Sequence, residues 1–374
     1  MVLLIGNYAV DEQESMQRFA QMMLAGLRAV GVPAELVCPR PFLGRIQVVG
    51  GFVRKWLGYL DKFVFFPRQL RRKVSAATDL VHICDHSNAM YSAHVGDIPV
   101  VVTCHDLLAV RGALGEATDC PASPTGRVLQ RWIVSGLRAA SAVTCSSPAT
   151  LRDAQRIVGQ KDGHPRLSLI PLGLNYPYHK LSLAEAHDRM KKEGLGLVTP
   201  FVLHVGSNLR RKNREGALRI LARCKEHWEG RILFAGDPIS KSLRSLGDEL
   251  GIANRIVEVR RPGNELLEAL YNCATALLYP SRFEGFGWPV AEAQACGCPV
   301  ICSNIEPLPE ISGGAALTHD VEDEEGFAAD ILRLANPSER DRWSREGLRN
   351  AARFDAEKMI ARYLEVYRSF APQV

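Results

Sequence analysis

Two successive series of short apolar runs, alternating with amphipathic helical stretches, predict an α/β chain of two doubly wound, Rossmann-like domains. The runs lack the polar alternation of half-exposed strands, as expected in parallel sheets covered on both faces. A stretch near residues 171–200, carrying Pro171, Gly173, Pro177, Gly194, Gly196 and Pro200, separates the two series. The chain has 374 residues, 47% of them apolar. That is too long for one ordinary domain and sufficient for two cores.

In the first series, Val2–Ile5, Leu80–Cys84, Val100–Cys104 and Ala142–Cys145 read as strands, with helices at Ser15–Val30 and Gly126–Ala140. In the second, Phe201–Val205, Arg231–Ala235, Ala276–Tyr279 and Pro299–Ser303 read as strands. After about residue 320 the pattern is helical, ending near Phe370. The predicted domains are 1–175 and 176–374, the terminal helices closing the second. No solenoid repeat or low-complexity tract occurs.

Composition narrows the function. No stretch approaches the roughly 18 uninterrupted apolar residues of a membrane span. Met1–Gly6 reads as a first strand rather than a signal peptide, and a cytoplasmic location is expected. The ten cysteines include no Cys-x-x-Cys pair, and several end apolar strands, which favours buried, reduced thiols over zinc or disulfides. Net charge is +5, distributed as +7 over residues 1–180 and −2 over the remainder. The basic half therefore suits an anionic surface or partner.

Two motifs carry chemistry. Pro280-Ser281-Arg282-Phe283-Glu284-Gly285-Phe286-Gly287-Trp288-Pro289 follows a strand, and Pro289 suits the start of a helix. The glycines permit close backbone approach to a ligand, and a helix N-terminus favours an anion. Eight residues after Glu284, Glu292 is expected in the first turn of that helix, so two carboxylates flank one strand–loop–helix crevice. Taken singly, Gly285 and Gly287 are turn residues and Glu292 a dipole-stabilising acid. The second motif is Gly206-Ser207-Asn208-Leu209-Arg210-Arg211-Lys212-Asn213, with Asn213 as helix N-cap. Its cations suit a diphosphate, although alone it reads equally as a solvated basic loop. It lacks the spacing of a Walker A loop, and Gly285-Phe286-Gly287 does not continue as a dinucleotide fingerprint.

The run from Glu284 to Pro289, through Glu292-Ala293, to Gly297-Cys298-Pro299-Val300 resembles the signature of family-4 retaining glycosyltransferases with the GT-B fold. Val205-Gly206 to Arg211-Lys212-Asn213 looks like that family's diphosphate loop, Pro171-Leu172-Gly173 like its linker entry, and Leu308-Pro309-Glu310 like a later segment. The resemblance covers most of residues 167–315. It implies two Rossmann-like domains facing a cleft, and sugar transfer from a nucleoside-diphosphate sugar to a hydroxyl of a saccharide or lipid-linked acceptor. Retention, no required metal or cofactor, and no nucleic-acid partner are also implied. On that footing Arg211 and Lys212 hold the diphosphate, Glu292 the ribose, and Glu284 the donor sugar. Gly206 and the NH groups of Gly285, Phe286 and Gly287 help orient sugar and phosphate. His105, in Thr103-Cys104-His105-Asp106, resembles the family's donor-facing histidine, with Asp106 orienting it or capping a helix; a lone loop histidine is the bland alternative.

Two departures matter. The loop Gly6-Asn7-Tyr8-Ala9 lacks the Gly-Gly pair of many members, which suggests an altered acceptor loop containing Asn7 and Tyr8. Ser207 stands where many members carry Arg, so Arg211 must serve. Asp85 and His86, in the polar run His82–Asn88, are further acceptor-side candidates, or simply a strand-end turn, and Asp106 is another acceptor-side candidate. Residues 54–73 hold seven Lys/Arg and one acid, Asp61, among aromatic side chains. They fit an anionic membrane surface, or else a sheet-covering helix. A nucleotide-sugar epimerase and a non-catalytic binder are the rival readings.

Overall fold

The computed structural model describes residues 1–11, 13–44, 51–196 and 199–374, excepting the side chains of residues 51, 52, 54 and 55. Two compact units result, one of Met1–Asn175 with Asp355–Val374, the other of Tyr176–Phe354. The first unit is built on β1 (Val2–Ile5), β2 (Ala34–Val37), β3 (Leu80–Ile83), β4 (Val100–Cys104), β5 (Ala142–Cys145) and β6 (Arg166–Leu169). They form one parallel sheet in the order β2-β1-β3-β4-β5-β6. The second holds β7 (Phe201–Gly206), β8 (Arg231–Gly236), β9 (Ile256–Arg260), β10 (Ala276–Tyr279), β11 (Val300–Ser303) and β12 (Leu317–His319). Its parallel order is β12-β11-β10-β7-β8-β9.

Every inner strand but the termini of β7 and β8 is buried along its length, because helices cover both faces of each sheet. Chain order reverses between β1 and β3 in the first sheet and between β7 and β10 in the second. These are the topological switch points, where loops diverge and leave a crevice outside the strand ends. In register, Ile5 at the end of β1 lies beside Ile83 at the end of β3, and Leu203 of β7 lies beside Leu277 of β10.

One boundary differs from the sequence expectation. Helices Glu324–Leu334 and Pro337–Ala351 stay with the second unit, but Ala356–Arg368 belongs to the first. The Tyr363 hydroxyl lies 2.8 Å from Thr103 Oγ1, and the Tyr367 hydroxyl 2.6 Å from His82 Nδ1. Gly173 makes room for this helix, since a Cβ there would sit 2.5 Å from Ala356 Cα. Burial disfavours a charged His82 and pushes its pKa down to about 3, so the imidazole is a neutral hydrogen-bonding partner. All ten cysteines are free thiols. Among the described residues no helix is long and apolar enough to cross a membrane.

Candidate active site

The loops after β7 and β10 meet at the switch point of the second sheet. After β7 the chain passes through Gly206 (φ 155°) into a short turn, Arg210–Lys212, and then Asn213 in the left-handed region (φ 50°). Asn213 caps helix Arg214–Arg223, its side-chain oxygen accepting from Gly216 N at 3.3 Å. Its amide donates to Pro280 O at 2.9 Å, and Arg282 N donates to Arg211 O at 2.7 Å. These two hydrogen bonds, Asn213 to Pro280 and Arg282 to Arg211, hold the two motifs together.

Glu284 is the centre of the arrangement. Its carboxylate accepts from Lys212 Nζ at 2.7 Å and from Arg211 at 3.1 Å. Lys212 Nζ also donates to the Tyr279 hydroxyl at 2.6 Å and lies 4.9 Å from the centre of that ring. Burial by itself would raise the Glu284 carboxyl; Lys212, then Arg211, reverse this and hold it below the usual carboxylate range. Burial lowers the Lys212 ammonium pKa, with Glu284 opposing and Arg211 reinforcing the shift. Two cations against one carboxylate leave positive charge at the strand ends, which suits an anionic ligand.

Gly287 (φ 100°) opens helix Trp288–Ala295, and a Cβ there would meet Leu308 Cδ2 at 2.6 Å, so conformation and space both demand glycine. Glu292 is the fifth residue of that helix, in the second turn rather than the expected first. It is buried and accepts from the Tyr271 hydroxyl at 2.8 Å. Gly285 and Phe286 lie in the same loop.

Sequence reasoning missed two supports. His204, inside β7, donates Nε2–H to Lys212 O at 2.9 Å, and burial lowers its pKa to about 3. Arg214 donates to Gly206 O at 2.6 Å and Asp237 O at 2.9 Å, fixing the loop from behind. For His204 the available signal was a polar residue within an otherwise apolar inner run; Arg214, first in its helix, gave no such signal.

The first sheet carries its own polar network at its switch point. Asn7 donates to Asp85 Oδ2 at 2.5 Å and accepts from Asn88 at 3.1 Å. Asp85 also accepts from Ser87 N at 3.0 Å, and His86 Nδ1 lies 3.2 Å away. Burial would raise the Asp85 carboxyl, but His86 beside it holds it well below the usual range. Tyr8 is not part of this group: its hydroxyl donates to Asp61 at 2.7 Å, and Asp61 also accepts from Gly44 N at 2.9 Å. His105 is buried after β4, donating Nε2–H to Cys84 O at 2.9 Å, while its Nδ1 has no hydrogen-bond partner among the described residues. Burial lowers its pKa against the pull of Asp85. Asp106 accepts from Leu108 N at 3.1 Å, two residues on, at the start of helix Leu108–Ala113. Among the described residues no group of three or more His, Cys, Asp or Glu side chains could hold a metal ion.

Comparison with known proteins places these units. Residues 187–350 match the family model "Glycosyl transferases group 1" and residues 15–173 match "Glycosyl transferase 4-like domain". Over 106 residues the chain is 40% identical to O-antigen chain mannosyltransferase B of Escherichia coli, covering 28% of each protein. It is 28% identical over 305 residues to D-inositol 3-phosphate glycosyltransferase of Acidothermus cellulolyticus, covering 76% of this chain and 66% of that protein. The chain thus spans less than two-thirds of the length of these two relatives. HepE of Anabaena, solved with UDP and glucose, superposes with a TM-score of 0.75 over 98% of this chain and 99% of its own, at 17% identity. That last likeness is one of fold. With one glycosyl transferase model on each unit and a matching two-sheet fold, the chain belongs to the group 1 glycosyl transferases of GT-B architecture.

Proposed function

We propose that the protein transfers a sugar from a nucleoside-diphosphate sugar to an acceptor hydroxyl, with retention of anomeric configuration. The observation that carries this reading is Glu284 held between Lys212 and Arg211 at the switch point of the second sheet. Lys212 and Arg211 neutralise charge on the departing diphosphate. Glu284 contacts the donor sugar and stabilises an oxocarbenium-like state. Glu292, oriented by Tyr271, receives the ribose hydroxyls, and the NH groups of residues 285–287 orient sugar and phosphate. His105 offers its unpartnered Nδ1 as an acceptor for a donor-sugar hydroxyl. The leaving charge is met by side-chain cations, so no metal is required.

The acceptor in this reading is a saccharide or lipid-linked molecule of surface polysaccharide synthesis, which the name of one relative, O-antigen chain mannosyltransferase B, supports for a polysaccharide product, and Asn7, Asp85 and His86 are its proposed contacts. The test is a thermal-shift screen of nucleoside diphosphates, in which the best stabiliser names the donor by mass action. Incubation with the matching labelled nucleotide sugar follows. A transferase releases the nucleoside diphosphate when acceptor is supplied. Conversion of the free nucleotide sugar to its epimer, or binding without turnover, would refute transfer.

A further inference from the structure

The N-terminal unit exposes an apolar face that its own core does not use. Along the segment that begins the 51–73 helical run, Val53, Trp56, Leu60 and Val64 recur at intervals of three and four residues, so they share one face. All four are exposed, Trp56 at 49%. Farther along, Phe66 and Leu70 turn inward and are buried against the sheet. The run therefore divides: its second half covers the sheet, and its first half does not.

The exposed half is continued by other elements. Trp56 packs on Tyr59, Tyr59 on Phe63, and Phe63 on Trp132 of helix Pro124–Ala139 at 5.3 Å between ring centres. Trp132 and Val128, one helical turn apart, are exposed beside them, Val128 at 64%. Phe42 packs edge-on against Phe65, both exposed. Eight of the twelve exposed large apolar side chains among the described residues lie in these elements. An apolar concentration of this kind marks an interaction surface.

Cations border it. A pocket of about 490 Å³ is lined by Phe42, Phe65 and Gln69 together with Arg40, Arg68, Arg72 and Lys73. Lys73 is paired with Glu35 at 2.6 Å, and Arg71, outside the pocket, faces His94 at 3.1 Å. Arg40, Arg68 and Arg72 contact no carboxylate among the described residues. The acid of the segment, Asp61, is fully buried and takes its hydrogen bonds from Tyr8 and the backbone of Leu43 and Gly44. Tryptophan and tyrosine among aliphatics, with unpaired arginines and the local acid turned inward, match the interface of an anionic bilayer.

We propose that this face docks the protein on an anionic lipid bilayer, the Arg40–Arg68–Arg72 pocket receiving a lipid phosphate and Trp56, Leu60 and Trp132 entering the headgroup boundary. Docking does not depend on the transfer reaction. Its consequence, that the acceptor hydroxyl is carried by a membrane lipid, rests on the transferase reading.

The full-length protein is sedimented with vesicles of phosphatidylcholine alone and with phosphatidylglycerol added, at low and high salt. Binding is expected only to the anionic vesicles and should fall steeply with salt. Each cation near such a surface contributes about fivefold in affinity, so Arg40→Ser/Arg68→Ser/Arg72→Ser should lose roughly a hundredfold. Trp56→Ser/Leu60→Ser should also release the protein, whereas Val30→Ser/Leu183→Ser, exposed elsewhere, should not. Brominated lipids should quench wild-type tryptophan fluorescence and quench a Trp56→Phe/Trp132→Phe variant far less. Melting temperature and nucleoside-diphosphate affinity, measured on each variant, establish that it is folded. Failure of the wild type to bind anionic vesicles at low salt, or equal binding by the folded arginine variant, overturns the proposal. Loss of nucleotide binding with docking intact would instead count against the transferase reading alone.

Discussion

Lys212→Ala tests the proposed donor site most directly. Lys212 Nζ is bound to Glu284 at 2.7 Å and to Tyr279 at 2.6 Å, and the proposed mechanism aims this ammonium at the leaving diphosphate. Removing one such preorganised charge costs about 10²–10³ in kcat, or about 3–4 kcal/mol of transition-state stabilisation. Stability should suffer less. Leaving a buried carboxylate without its partner costs about 3–5 kcal/mol, but Glu284 keeps Arg211 at 3.1 Å, so about 1–3 kcal/mol is expected. For a unit of this size that lowers Tm by roughly 3–10 °C. The assay measures nucleoside-diphosphate release against donor concentration, with calorimetric binding of the nucleoside diphosphate and of the bare nucleoside. Diphosphate affinity should fall while nucleoside affinity stays put. A variant within tenfold of wild-type kcat and with unchanged diphosphate affinity would remove Lys212 from the mechanism.

Three further outcomes follow from the same geometry. Glu292→Ala should chiefly raise the donor KM with kcat little changed, because ribose contacts act alike in ground and transition states; steady-state kinetics check it. Activity should survive excess EDTA, since Lys212 and Arg211 supply the charge, and loss of activity restored by magnesium or manganese would contradict that. His82 and His204 are held near pKa 3 in the fold against about 6.5 when unfolded, so the unfolded chain binds the extra protons between those values. Stability should therefore fall as pH drops from about 6.5 toward 3; His204→Gln, which keeps a donor for Lys212 O without titrating, should flatten that slope in urea unfolding of the second unit.

The eight strands legible in the sequence are the eight inner strands, and the four that were not legible, β2, β6, β9 and β12, are the four sheet edges. The cause is physical. An inner strand is buried on both faces and between neighbours, so Val2–Ile5 and Val100–Cys104 read as unbroken apolar runs. An edge strand keeps part of its surface in water, and Ala34-Glu35-Leu36-Val37 and Arg166-Leu167-Ser168-Leu169 mix polar with apolar residues over only four positions. That is too short to separate an edge strand from a loop. Glu35 also serves outside the sheet, as the partner of Lys73.

The same argument explains what was legible of the site. Gly287, Asn213 and Glu284 could be read because glycine, a helix cap and a loop carboxylate are local signals, each tied to a turn that the sequence already marks. His204, Tyr279 and the docking of the last helix depend on partners that no local pattern names. Yet they leave a trace of one kind. In strands buried on both faces, a polar side chain must find a hydrogen bond or destabilise the fold. His82, Thr103 and Thr144 interrupt β3, β4 and β5 because Tyr363 and Tyr367 of the last helix meet them there. His204 interrupts β7 because the Lys212 carbonyl does. Polar residues inside inner strands thus mark two things in this chain: where the last helix lands on the first sheet, and what holds the lysine of the donor site in place.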